Sequence, residues 1–266
     1  VEIITSTSNP RVKHLVRLRN RRTRDAESRF VIEGYRELSR AVAKRIAIEE
    51  IGYCRRLFLG SNEPALLAEA EANGAILVEY AEAPFRKVSY RDRPEGLIAV
   101  ARQFPTGLED LPRLDEPLIL LVESIEKPGN LGTMLRTADA AGIDAVIVAD
   151  QTTDPFNPNV VRASIGCLFV VPVAVADSTE AIAWLRRRHV RLIATSPSAE
   201  HTHWDTRYSG ACAIAVGSEQ YGLSNTLLDA ADELVRIPMH GDVDSLNAAM
   251  AAGVVLYEAL RQRAGR

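Results

Sequence analysis

The sequence predicts an α/β protein in two parts, a small mixed α/β domain followed by a larger α/β domain built on a parallel sheet. Two observations carry this. From Leu118 onward, short runs that are apolar throughout alternate with stretches of helical periodicity. Strands apolar on both faces belong to parallel sheets covered by helices. Before that point residues 103–117 break the pattern, with Pro105, Gly107, Pro112 and Pro117 set among scattered acids. This stretch reads as a linker between a first domain at 1–102 and a second at 118–266.

Within the first domain, Val12, Leu15, Val16 and Leu18 fall near helical spacing over residues 10–20. Residues 30–32 read as a strand and 34–45 as a helix; 56–59 and 75–78 read as strands around a helix at 64–71, and 96–100 as the last strand. In the second domain, strands are expected at 118–122, 145–149, 170–175, 191–195 and 212–216, with helices at 132–141 and 179–188. The final helix is read at 245–263 with Ser245 as its N-cap. Its Ala249, Ala252, Val255, Leu256 and Ala259 form a face of mostly small residues suited to close helix approach in a two-fold dimer.

The chain has 266 residues, 47% hydrophobic and 25% charged, enough to bury a sizeable core without staples. Cys54, Cys167 and Cys212 lie too far apart for a disulfide framework or a zinc site. His201 and His203 with Asp205 lack a third ligand at useful spacing, so no metal is expected. No run approaches the roughly 20 apolar residues of a membrane span, and the first residues lack the apolar core of a secretory leader. A cytoplasmic protein is the expectation.

A net charge of −3 excludes a general polyanion binder, but the charge is unevenly placed. Residues 11–24 hold Arg11, Lys13, His14, Arg17, Arg19, Arg21, Arg22 and Arg24 with no acid among them. Such a run gains affinity for phosphates by counterion release, although charge alone reads equally as a solvated helix face. Tyr90-Arg91-Asp92-Arg93 reads as an exposed loop whose aromatic suits stacking on an unpaired base. Arg11, Lys13, Arg22, Arg24, Arg91 and Arg93 are therefore the candidate RNA contacts.

In open parallel sheets, ligands bind beyond the carboxyl ends of the strands. Three segments fall there. In ESIEKPGNLGTMLRTADAA (123–141), Gly129 and Gly132 permit close backbone approach and Asn130 reads as a helix N-cap. Arg136 lies one turn from Gly132 and projects from the face that glycine leaves open. The G-N-L-G here is not the G-x-G-x-x-G of dinucleotide sites, which disfavours an NAD-linked oxidoreductase. In VGSEQYGL (216–223), Gly217, Ser218 and Glu219 offer backbone donors and one fixed carboxylate. In IPMHGDVDSLNA (237–248), Ile237, Pro238 and Met239 lead through a loop to Ser245, Leu246 and Asn247. A fourth segment, Asn157-Pro158 before VVRASIGCLF, pairs an N-cap with proline at the first helical position and carries Arg162, Ser164 and Gly166.

Taken in this order and spacing, N-x-G-x-x-x-R-T, G-S-E-x-x-G-L and I-P-M with S-L-N resemble the SpoU/TrmH class of RNA ribose 2′-O-methyltransferases in the SPOUT superfamily. More loosely, SNPRVKHLVRL, RFVIEG at 29–34 and RPEGLIAV at 93–100 resemble the L30-like substrate-binding domain of rRNA enzymes in that class. The resemblance implies a C-terminal trefoil knot that shapes an S-adenosylmethionine (SAM) pocket. It implies that Gly217, Ser218, Ile237, Pro238, Met239 and Leu246 line the pocket, largely through backbone. It further implies a homodimer with the pocket at its interface, Arg136 as the catalytic group, and Asn130, Glu219, Ser245 and Asn247 as the other functional positions. Lys127 departs from the class, where many relatives carry an acid.

The implied activity is methyl transfer from SAM to a ribose 2′-hydroxyl of structured RNA, with the L30-like domain favouring ribosomal (23S-type) RNA over tRNA. A tRNA 2′-O-methyltransferase and a non-catalytic RNA-binding protein are the alternatives. The second would have no chemical use for Asn130, Arg136, Glu219 and Asn247 together. The chemistry suits those residue types. A 2′-hydroxyl is a poor nucleophile until its proton leaves, whereas the sulfonium methyl is already activated. With a pKa of about 12 or more, arginine is better suited to orienting a phosphate and stabilising the forming alkoxide than to acting as base. Transient proton loss from Arg136 is the other role open to it.

Overall fold

The computed structural model describes residues 3–113 and 115–264. In chain order its elements are β1 (Ile3–Ile4), α1 (Pro10–Arg17), α2 (Arg21–Glu27), β2 (Arg29–Glu33), α3 (Tyr35–Ala43), β3 (Ile48–Tyr53), α4 (Glu63–Ala72), β4 (Ile76–Tyr80), α5 (Glu82–Val88) and β5 (Leu97–Arg102). There follow β6 (Leu118–Glu123), α6 (Pro128–Ala140), β7 (Ala145–Ala149), α7 (Pro158–Ala163), β8 (Val173–Ala176), α8 (Ser178–Arg187), β9 (Arg191–Thr195) and β10 (His201–Thr202). The last are β11 (Cys212–Val216), α9 (Asn225–Ala230), β12 (Glu233–Arg236) and α10 (Ala248–Ala264).

By contacts the chain forms two compact units. The first takes the described residues through Phe104 and adds Asp154–Val170. Its mixed sheet runs β1-β4-β3-β5-β2, with β5 antiparallel to both neighbours and the other pairs parallel. The helix starts follow their caps: Asn9 and Asn20 accept from the amides of Arg11 and Arg22 and open α1 and α2. Val12 and Leu15 turn inward from α1 onto a core with Phe85, Ile98 and Val100. Phe30 packs against Phe104, Phe156 and Phe169, so the 154–170 segment shares the core of this unit. Asn157 caps α7 by accepting from the Asn159 amide.

The second unit comprises Pro105–Thr153 and the residues from Val171 onward. Its seven strands, ordered β10-β12-β9-β11-β6-β7-β8, are all parallel. Every residue of β6, β7 and β11 is buried, as expected of strands covered on both faces.

Several expectations change. Residues 154–170, read within a second domain at 118–266, belong to the first unit, and the strand expected at 170–175 is β8, Val173–Ala176. The stretch read as a linker is part of the second unit from Pro105: Leu111 enters its core and the Val175 amide donates to the Thr106 carbonyl. Residues 56–59 are not a strand; Arg55–Leu57 is a 3-10 turn and the strand lies earlier, at β3. On α10, Ala249, Ala252, Val255, Leu256 and Ala259 are buried within the described chain, so that face is not free to meet a partner. Met250 and Tyr257, seven residues apart, are exposed instead at 59% and 50%.

Candidate active site

A cavity of about 870 Å³ opens beyond the carboxyl ends of β9, β11 and β12. Its floor is set by a sharp return of chain after β11. Gly217 follows Val216, and a Cβ placed on it would collide with the Gly222 carbonyl and the Leu223 nitrogen. These are backbone atoms, so only glycine fits. Ser218 and Gly222 then exchange amide-to-carbonyl hydrogen bonds of 3.1 and 3.0 Å, and Gly222 turns through φ +67°. The Ser218 hydroxyl accepts from the Tyr221 amide, which leaves the loop to present Glu219, Gln220 and Tyr221 to the cavity.

The opposite wall comes from the segment after β12. Ile237, Pro238 and Met239 are half-buried along it, with Leu246 further on, and all four line the cavity together with Gly217 and Ser218. Thus the six residues expected to hold the cofactor line one cavity. The helix that follows begins at Ala248, three residues later than expected. Its cap is Asn247, whose Oδ1 accepts from the amides of Ala249 (3.0 Å) and Met250 (3.4 Å). Ser245 is no cap; it stands exposed on the cavity rim.

Asn130 is not a cap either. It sits in the first turn of α6, which is preceded by Lys127, and its own amide donates to the Lys127 carbonyl at 3.0 Å. Its side chain is therefore free to reach across. The Asn247 Nδ2 donates to the Asn130 Oδ1 at 3.2 Å, tying the start of α6 to the start of α10. Two buried polar atoms remain without partners here, the Asn130 Nδ2 and the Glu219 Oε1. Glu219 is not hydrogen-bonded to Asn130. An unmatched buried donor or acceptor costs about 1–3 kcal/mol, which a bound polar group would relieve. Arg136 projects to solvent from α6, with no hydrogen-bond or ion-pair partner among the described residues.

The candidate RNA contacts divide. Arg11, Lys13, Arg22 and Arg93 are exposed, Arg11 alongside Glu50. Arg24 is not available: it is 1% exposed, paired with Asp154 at 2.6 Å and donating to the carbonyls of Leu18 and Arg19. Arg91 is likewise committed, to Glu37 at 2.8 Å and to Glu95. Tyr90 is half-buried with the Arg19 guanidinium 4.9 Å from its ring, and burial raises its phenol pKa. It does not offer an open face for a base. Arg162 is exposed, whereas the Ser164 hydroxyl bonds the Val161 carbonyl. Among the described residues no group of three or more His, Cys, Asp or Glu is arranged to hold a metal. Nor is any helix among them long and apolar enough to cross a membrane. Sequence reading passed over Glu123, a buried carboxylate under the 217–224 loop, because it reads as the polar end of a strand.

A pocket that depends on a glycine, at the strand ends of a parallel sheet and lined by the chain leaving β9, β11 and β12, defines a small-molecule-binding α/β protein. Residues 117–257 match the model of the SpoU rRNA Methylase family, and residues 9–99 that of the MRM3-like substrate binding domain. The chain belongs to the SpoU rRNA methylase family. It is 30% identical over 254 residues to the 23S rRNA (guanosine(2553)-2′-O)-methyltransferase RlmP of Bacillus subtilis, covering 96% of this chain and 97% of that one. A crystal structure described as an RNA 2′-O ribose methyltransferase superposes with a TM-score of 0.87 at 42% identity, covering 99% and 100% of the two chains. An AdoMet-bound rRNA methyltransferase from Sinorhizobium meliloti gives 0.89 at 32% identity, covering 98% and 97%.

Proposed function

We propose that this enzyme transfers the methyl group of SAM to a ribose 2′-hydroxyl of ribosomal RNA, with Arg136 as the group that makes the transfer fast. The observation that carries the reading is a pair of unmet buried polar atoms, the Asn130 Nδ2 left over from the Asn247–Asn130 contact and the Glu219 Oε1 on the cavity wall. A donor and an acceptor thus stand unused, and a ribose and a cofactor offer partners for both. The residues present fit SAM: the cavity is large enough, and the loop that the close Gly217–Gly222 packing shapes lines it from Gly217 to Gly222. When bound, SAM supplies an activated methyl on a sulfonium.

The chain's own residues supply the rest. Gly217, Ser218, Ile237, Pro238, Met239 and Leu246 hold the cofactor. Ser245 and Asn247 hold the ribose, and Glu219, which meets neither Asn130 nor Arg136 in the free chain, offers its unpartnered carboxylate oxygen to the bound ligands. Arg136, exposed and uncommitted, orients an RNA phosphate and stabilises the oxygen as its proton passes to solvent water. Alignment of oxygen with methyl is the main contribution, since positioned reactants gain several kcal/mol over free ones. The first unit grips the RNA through Arg11, Lys13, Arg22 and Arg93. The protein acts as a cytoplasmic homodimer, and the exposed Met250–Tyr257 face of α10 is the surface that meets the second copy.

Calorimetry and single-turnover kinetics test this. SAM and its demethylated product bind and NAD does not. Arg136→Ala binds SAM like wild type but transfers methyl at least about 100-fold more slowly, roughly 2.7 kcal/mol of barrier. Arg136→Lys stays near-inactive, because an ammonium keeps charge but loses the planar fork. Near-normal single-turnover rates in Arg136→Ala would remove that residue from the chemistry.

A further inference from the structure

Glu123 is the last residue of β6 and is 2% exposed, yet none of the roles above uses it. β6 lies beside β11 with Val122 opposite Val216, so Glu123 falls level with the point where the chain leaves the sheet at Gly217. Its carboxylate faces the far stem of the loop that leaves there. Oε2 accepts from the Ser224 amide at 2.6 Å, and Oε1 accepts from the Ser224 hydroxyl at 2.6 Å. The Ser178 hydroxyl lies 2.7 Å from the same Oε1 and 2.6 Å from Asp150 Oδ2. A carboxylate buried without a cation is expensive unless its lone pairs are met, and here neutral donors meet them.

The loop is therefore fixed at two stems and free at its tip. The entry stem is fixed by close packing, since Gly217 leaves no room for a Cβ against Gly222. The exit stem is fixed by Glu123, through two bonds to one residue 101 positions away in the chain. Tyr221 at the tip is 76% exposed. Residues 217–222 of this loop line the cavity, so any play in the exit stem shifts groups that must lie within a few tenths of an ångström of a ligand.

We propose that Glu123 is a positioning residue, a buried carboxylate that clamps the exit stem of the 217–224 loop and thereby sets affinity for SAM without touching it. This rests on the functional reading above. The competing role is purely structural, because the same carboxylate also meets Ser178 at the start of α8. The two serines separate the roles: Ser224 is on the loop, and Ser178 is not.

The test measures SAM affinity, turnover and amide exchange in the full chain. Glu123→Ala weakens SAM binding about tenfold or more, while single-turnover transfer at saturating SAM and RNA stays within about fivefold of wild type, and RNA affinity is unchanged. Glu123→Gln recovers SAM affinity to within about threefold, because its amide accepts from the Ser224 N–H and donates to the hydroxyls. Ser224→Ala weakens SAM about three- to fivefold, the size of one lost hydrogen bond. Ser178→Ala stays within about twofold. Hydrogen exchange of the 217–224 amides speeds up in Glu123→Ala and Ser224→Ala but not in Ser178→Ala. Should Glu123→Ala fail to fold, the contrast between the serine variants decides. Equal SAM affinity in Ser224→Ala and Ser178→Ala, or unchanged affinity in folded Glu123→Ala, overturns the proposal while leaving the functional reading intact. A wild-type chain that binds no SAM overturns both.

Discussion

Arg24→Ala removes a guanidinium that is 1% exposed and leaves Asp154 buried without its cation. Breaking such a pair from one side costs about 3–5 kcal/mol, because the remaining charge is stranded. The carbonyls of Leu18 and Arg19 also lose donors at 3.0 and 2.8 Å, each worth about 1 kcal/mol net. These terms overlap, so about 4 kcal/mol is the expected loss, a large share of the roughly 5–15 kcal/mol that holds a domain together. Thermal unfolding followed by circular dichroism reads it directly, with a melting midpoint for the first unit lower by roughly 10 °C or more. Arg24→Met combined with Asp154→Leu recovers most of the loss, since apolar pairs commonly replace buried ion pairs at little cost. RNA binding is the contrasting readout. The salt slope of RNA affinity stays at the wild-type value in Arg24→Ala but falls by about one unit in the exposed Arg22→Ala. An Arg24→Ala chain with an unmoved midpoint and a shallower salt slope would refute the reasoning.

Gly217→Ala forces a methyl into the Gly222 carbonyl, opening the Ser218–Gly222 pair. SAM affinity by calorimetry falls at least about 100-fold; retention within a few-fold would mean the loop is not the cofactor floor. At the end of α10, hydrogen bonds from Arg261 hold the Glu258 carboxyl down at about 2, from the usual 4.5. A depressed carboxylate contributes stability above its unfolded value and loses it as pH falls through the folded one. The stability gap between wild type and Glu258→Gln is therefore full above about pH 5 and closes on the way to pH 2, as acid titration of urea midpoints will show. For the proposed dimer, Tyr257→Arg on the exposed face of α10 is expected to give a monomer in light scattering while leaving the melting of the isolated fold within a few degrees; a variant that still dimerises would move the interface elsewhere.

The parallel sheet was legible because its strands carry no polar face. Residues 145–149, 191–195 and 212–216 were read to the residue, since an apolar run buried on both sides has no other reading at strand length. β3 was missed for the opposite reason. Its Glu49 and Glu50 look like strand breakers, but Glu49 is met by Arg29 and Arg102, and Glu50 by Arg11. Those partners are distant in sequence, and local pattern cannot see them. The same blindness put Arg24 on the surface: a basic residue in a basic run shows nothing of an aspartate 130 positions later. At the site, most residue types around the cavity were visible as two motifs at strand ends, 216–223 and 237–248, whereas Thr195, Ser196 and Pro197 carry no local signal. The caps were not visible. Asn247 rather than Ser245 opens α10, because the Asn247 carbonyl oxygen is the one that reaches the first helical amides. That shift gives Asn247 its contact with Asn130, a geometry no spacing rule contains.

The central claim is that this chain moves a methyl from SAM to a ribose oxygen. It is tested most directly by incubating the protein with methyl-labelled SAM and ribosomal RNA from cells lacking the gene, then hydrolysing the RNA in alkali. A 2′-O-methyl group blocks cleavage at its own nucleotide, so the label should appear in an alkali-resistant dinucleotide at one site, and Arg136→Ala should abolish it. Label released on mononucleotides, which places the methyl on a base, or no label with SAM demonstrably bound, would contradict the account.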